Sequence, residues 1–184
     1  MPAFKYRPIC DLWFLTRAKL QGGVKFYGAY VGGFPERARA LLGCNLNDPV
    51  LHVCGGMAKL YPYRRGFGPN DKTLDLDPAT EPDFLQDARE PFPLMDGLYG
   101  WPGILIDPPY SPEDAQHYAP GPDKYPKPVL LVRNAWPALV SGGRVGIIHY
   151  QVPAPPKDAV FVAAVGVLSG YNNRCRVYSV FERP

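Results

Sequence analysis

The sequence predicts an α/β fold: a mostly parallel central sheet with an antiparallel strand pair toward its C-terminal end and helices on both faces. Three observations predict it. Short apolar runs alternate with helix-like segments over most of the chain. Two β-rich runs near the end are joined by the turn-like Ser169-Gly170-Tyr171-Asn172-Asn173. Finally, 46% apolar and 13% aromatic residues are enough for a packed core. With 184 residues, the chain is expected to form one domain over 1–184, with a basic N-terminal segment at 1–34 and no separate target-recognition domain.

In chain order, Pro35 to Leu42 reads as a short helix, with Pro35 in its first turn and Gly43 just past its end. Val50-Leu51-His52-Val53-Cys54 is an apolar run entering Gly55-Gly56, the pattern of a buried strand followed by a tight turn. Lys72 to Pro78 is expected to be a second strand with acids at its end, and Glu81 to Arg89 one or two helical turns. Gly103 to Asp107 is apolar enough for a central strand. Prolines interleaved with Gly, Tyr and Asp follow it. They exclude a long helix and predict a loop over 108–128. Loops of that length inside compact domains usually carry function. Val129 to Leu139 suits a helix, which Gly142-Gly143 separate from a strand at Arg144 to Tyr150. The terminal pair is expected at Val160–Leu168 and Arg176–Phe181.

Several classes of protein are disfavoured. No apolar stretch approaches the roughly 20 residues of a bilayer span, and the N-terminus lacks the pattern of a signal peptide. The expectation is a cytoplasmic protein without a membrane partner. Cys10, Cys44, Cys54 and Cys175 form no Cys-x-x-Cys pair, and His52, His117 and His149 are far apart, so no metal site is expected. Neither a P-loop nor a Gly-x-Gly-x-x-Gly fingerprint occurs. Net charge is only +3, but it is unevenly spread. Residues 1–40 hold seven Lys or Arg against Asp11 and Glu36, whereas residues 71–96 hold eight acids against Lys72 and Arg89. A basic N-terminal face suits phosphate, and equally an ordinary solvated surface.

In a mostly parallel sheet, ligands bind outside the carboxyl ends of the strands. That rule gathers Cys54-Gly55-Gly56, Asp75/Asp77 and Asp107-Pro108-Pro109-Tyr110 on one rim. Two prolines after a strand stop ladder pairing and direct the chain rigidly away. The Asp107 carboxylate and the Pro108 carbonyl then offer two acceptors beside the Tyr110 ring, a suitable receptor for a planar amine.

Ile104-Leu105-Ile106-Asp107-Pro108-Pro109-Tyr110 resembles the catalytic motif of the S-adenosylmethionine-dependent amino-methyltransferases. The segment Tyr110 to Ala115 is most similar to the adenine-specific (N6) DNA branch. The resemblance implies a Rossmann-like class I methyltransferase fold. It assigns amine binding to Asp107 and Pro108, and base stacking to Tyr110, with Pro109 completing the motif. It also implies a cofactor site for S-adenosylmethionine. His52, Cys54, Gly55 and Gly56 resemble its glycine turn, Asp75 or Asp77 its ribose-binding acid, Asp87 its adenine contact, and Lys25 and Tyr27 (in Lys25-Phe26-Tyr27-Gly28) a segment laid against it. His52 departs from the pattern, since an acid is common there, and only two glycines are present.

The expected activity is methyl transfer to the N6 amino group of adenine in DNA. Adenine in RNA is the alternative, as is a non-catalytic module that keeps the fold and binds nucleic acid or cofactor. The interval between the glycine turn and Asp107 is too short for a target-reading region, which suggests a partner subunit for recognition, low sequence specificity or an RNA target.

Overall fold

The computed structural model describes residues 8–15, 30–59, 66–95, 100–118, 125–169 and 174–184. Its strands are β1 (Ile9–Leu15), β2 (Val50–Val53), β3 (Lys72–Asp75), β4 (Phe84–Leu85), β5 (Trp101–Ile106), β6 (Leu139–His149), β7 (Val160–Ser169) and β8 (Cys175–Glu182). They form one sheet in the order β1-β7-β8-β6-β5-β2-β3-β4. β8 runs antiparallel to both β6 and β7. Every other neighbouring pair is parallel. The sheet therefore has the mostly parallel form, with the antiparallel pair, that the sequence predicts.

β5 sits in the middle because both of its faces are apolar. Ile104 and Ile106 pack on one side with Val145, Ile147 and the helix α3 (Pro128–Ala138), through Leu131, Val132 and Ala135. Leu105 points to the other side, into a cluster with Val165, Val167, Tyr178 and the helix α1 (Phe34–Leu41), through Phe34 and Ala38. This two-sided burial is what a central parallel strand requires. Each long helix begins with a proline in its first turn, where the missing N–H costs nothing. Pro137 falls in the last turn of α3, so the helix simply ends at Ala138. Among the described residues, no helix is long and apolar enough to cross a membrane.

Three local expectations are corrected. Residues 81–89 make no helix. The Asp83 carboxylate takes the Thr73 N–H at 2.8 Å, and Phe84–Leu85 add to the sheet as β4, beside Leu74 and Asp75. The proline-rich stretch 108–128 is not all loop: Pro112–Tyr118 form a short helix, α2, whose acids Glu113 and Asp114 lie in its first turn. Gly142 and Gly143 lie inside β6, where Gly142 N–H donates to Arg183 O (2.7 Å) and Arg183 N–H to Gly143 O (2.9 Å). Within the basic N-terminal segment, for which the sequence predicts no element, residues 9–15 form a strand, β1, in register with β7 from Ile9↔Ala163 to Leu15↔Ser169.

Candidate active site

The strand order changes direction between β2 and β5: from β2 the chain proceeds outward to β3 and β4, and from β5 toward β6. A crevice outside the carboxyl ends of these strands is the usual ligand position in such sheets. The Asp107 N–H, donating to Val53 O at 3.1 Å, ties the end of β5 to the end of β2. The Cys54 N–H likewise ties to Leu74 O on β3 at 2.8 Å.

The glycine turn follows from its contacts. Cys54 and Gly56 have φ of 53° and 50°, so the chain reverses sharply just after β2. A Cβ on Gly55 would come within 3.1 Å of the His52 Cβ and 3.2 Å of its carbonyl oxygen, so glycine there allows close packing. The Asp75 carboxylate locks the turn, accepting Gly56 N–H at 2.9 Å on one oxygen and Asp77 N–H at 3.0 Å on the other. Asp77 caps the 3-10 turn Pro78–Thr80 by accepting Ala79 N–H at 2.9 Å. The Asp87 carboxylate pairs with Arg89 at 2.6 Å. Burial raises the Cys54 thiol well above the ordinary cysteine range. The charges of Asp75, Asp107 and Asp87 raise it further.

The side chain of His52 points away from that rim. It lies buried on the α1 side of the sheet, stacked near Phe67 (4.8 Å between centroids). Its Nε2 bonds Asp71 at 3.0 Å and its Nδ1 the Tyr30 hydroxyl at 3.1 Å. Asp71 also takes Arg39, Gly68 N–H at 2.6 Å and Val50 N–H at 2.9 Å. Burial works against the Asp71 charge, but bonds from His52 and Arg39 prevail and hold its pKa below the usual carboxylate value. Lys25 and Tyr27 lie outside the described residues.

Asp107 is in the opposite state. Among the described residues its carboxylate receives one hydrogen bond, from the Tyr110 hydroxyl at 2.5 Å. Burial pushes its pKa up to about 6, against the pull of that bond and of the Arg176 charge. Burial and the adjacent Asp107 charge together keep the Tyr110 phenol protonated, far above its ordinary value.

Around Tyr110 stand groups that sequence reasoning missed. Its ring lies 5.1 Å from that of Tyr150 and 5.8 Å from that of His149, both at the end of β6, and the guanidinium carbon of Arg176 stands 4.6 Å over it. Gln151 N–H donates to His149 Nδ1 at 3.1 Å, so the neutral ring carries its hydrogen on Nε2, 3.0 Å from the Tyr125 hydroxyl. That hydroxyl in turn donates to Tyr110 O at 3.4 Å. Burial lowers the His149 pKa, outweighing its bond with the Tyr110 backbone, and keeps the ring neutral at pH 7. A signal for Tyr150 did exist, since it directly follows an apolar strand on the same rim. Arg176 needed the topology, because β8 begins at the rim only by running antiparallel to β6. Beside this group an open cleft of about 590 Å³ is lined by Ser111, Glu113, Asp114, Tyr150, Arg174 and Cys175.

No protein-family model matches the sequence, and no curated protein matches it. Solved structures do match in shape. TrmN from Thermus thermophilus superposes with a TM-score of 0.62 at 20% identity, over 85% of this chain and 50% of its own. The chain thus spans about half the length of that relative. The N-methyltransferase NodS from Bradyrhizobium japonicum WM9 gives 0.50 at 12% identity, over 81% of this chain and 95% of its own. The 1,6-didemethyltoxoflavin-N1-methyltransferase of Burkholderia thailandensis, solved with S-adenosylhomocysteine, gives 0.50 at 14%, over 82% and 78%. The fold is that of the Rossmann-like methyltransferases.

Proposed function

We propose that the chain is an S-adenosylmethionine-dependent N-methyltransferase acting on an exocyclic base amine, with the N6 amino group of adenine in DNA as the first substrate and adenine in RNA as the second. The observation that carries this reading is the end of β5. There a partly buried carboxylate, Asp107, takes the Tyr110 hydroxyl and is followed by the Pro108 carbonyl, next to a glycine turn and two further acids, Asp75 and Asp87. The fold neighbours that are N-methyltransferases support the class, and the S-adenosylhomocysteine in one of them supports the cofactor.

The residues present fit that cofactor. The backbone turn at Cys54–Gly56 faces the crevice at the strand-order reversal, and Asp75 or Asp77 would accept from ribose hydroxyls, with Asp87 near the adenine. When bound, S-adenosylmethionine supplies an electrophilic methyl group. The protein's part is to prepare the amine. A base amine is a poor nucleophile because its lone pair is delocalised into the ring. Accepting its two N–H bonds at Asp107 and the Pro108 carbonyl favours a more pyramidal nitrogen and aims the lone pair. To do so, Asp107 must exchange the Tyr110 hydroxyl for the amine, freeing the tyrosine to line the base. Transfer would form the N–C bond as the cofactor's methyl–sulfur bond breaks, leaving S-adenosylhomocysteine, and the nitrogen would become cationic and lose a proton. A carboxylate with a pKa of about 6 is well matched to take it. Tyr110, Tyr150 and His149, with Arg174 and Arg176 nearby, suit an extruded base and its phosphate.

Incubation with methyl-labelled cofactor and either DNA or RNA tests the reading. Label is expected in adenine, reduced at least about 100-fold by Asp107→Ala. Undiminished transfer by that variant overturns the role of Asp107. Absence of cofactor binding at millimolar concentration by calorimetry overturns the enzyme reading.

A further inference from the structure

Arg176 occupies the second position of β8, opposite Val167 on β7, and so reaches the rim at the end of β6. It is partly buried and stands over the Tyr110 ring, its guanidinium carbon 4.6 Å from the centroid. That geometry is a cation–π contact, strengthened by removal from water. The ring so held points its hydroxyl at Asp107, 2.5 Å away. The Nε of Arg176 is buried and has no hydrogen-bond partner among the described residues. A guanidinium that leaves a buried N–H unpaired is not serving local stability alone.

We propose that Arg176 is the positioning residue of this site: by stacking on Tyr110 and by its charge it keeps Asp107 an ionised acceptor for an amine, an inference that rests on the methyltransferase reading above. Among the described residues, the groups that act electrostatically on Asp107 decide the matter: the Tyr110 phenol from its own loop, the Cys54 thiol after β2, the Tyr30 phenol from the segment before α1, and Arg176 from β8. The three other groups are neutral at pH 7, so Arg176 is the one cation of the set. Without it, burial would drive Asp107 toward the protonated form. A carboxylic acid offers a hydrogen where the amine needs a lone pair.

The test is a carboxyl-carbon NMR titration of Asp107 in the full chain without ligand, which needs no activity. The midpoint of the unaltered protein is expected at about 6. Arg176→Met is expected to raise it by about one pH unit or more, and Arg176→Lys, which keeps a charge, to return it most of the way. Arg176→Gln serves if the methionine variant does not fold. In the transfer assay the acidic limb of kcat/KM should move up by the same amount in the uncharged variants. A folded Arg176→Met or Arg176→Gln whose Asp107 midpoint stays at the starting value overturns the proposal. If no amine is methylated by the unaltered protein, the methyltransferase reading fails instead, while the titration still decides whether Arg176 governs Asp107.

Discussion

Two aspartates on neighbouring parts of the sheet, one buried and one partly buried, show opposite chemistry. Asp71 is held by Arg39, His52 and the N–H groups of Val50 and Gly68, and is kept ionised. Asp107 has one hydroxyl and a cation above the ring, and its pKa rises to about 6. Asp71 is buried and Asp107 partly so; what differs most is the number of donors that reach them. A carboxylate whose acceptors are all taken builds structure. One left short of donors is a standing demand for a ligand, which is how perturbed groups come to mark sites.

The largest effect should come from breaking the complete network. Asp71→Ala leaves Arg39 buried without its partner, and about 3–5 kcal/mol of stability should be lost, measured by urea unfolding. The same pair sets an acid limit. The folded-state pKa of Asp71 lies below its unfolded value, so its contribution is present above the unfolded pKa and is lost as pH falls through the folded one. An alanine variant as stable as the parent would erase the contrast.

The incomplete network should respond with the opposite sign. The raised pKa of Asp107 means that the folded state binds a proton more readily than the unfolded chain, so stability declines as pH rises from about 4 to about 6. Asp107→Asn removes that cost, at most about 3 kcal/mol. Its thermal midpoint should exceed that of the parent at pH 7.5 and match it below pH 4, while methyl transfer is lost. A lower midpoint at pH 7.5 would mean that Asp107, too, is structural.

Smaller again is the expected effect at the glycine turn. Asp75→Asn keeps an acceptor for only one of the Gly56 and Asp77 N–H groups and removes the charge, and about a tenfold loss of cofactor affinity by calorimetry is expected. Asp77→Asn run beside it tells which acid meets the ribose: the larger loss identifies it. Least affected should be the half-exposed Lys59–Asp83 pair at 2.7 Å. Lys59→Met should shift the thermal midpoint by less than about 1 kcal/mol of stability, and less still in high salt.

The contrast also explains what the sequence could tell. β5 and its Pro-Pro exit were legible because an apolar run and two missing donors are local facts, as was the helix around Ala38. β4 was not: Phe84–Leu85 are drawn into the sheet by Asp83 bonding Thr73, a distant partner that outweighs local helical preference. His52 looked like part of the turn because it adjoins Cys54 in sequence. Strand alternation puts its ring on the face opposite Leu51 and Val53, toward Asp71, while Cys54 leaves the strand with a positive φ. Arg176 reaches Tyr110 only through the antiparallel return of β8, which no short motif encodes.

The pairing of β1 with β7 has a consequence for how the molecule is made. Residues 9–15 find their register only against residues 163–169, so this strand emerges early in synthesis and waits for nearly the whole chain before it can dock. Phe14, 75% exposed even in the folded sheet, and Leu12 then travel on an unpaired strand. The β1–β7 pair spans the widest sequence separation of the sheet, and until it closes the strand is open to aggregation.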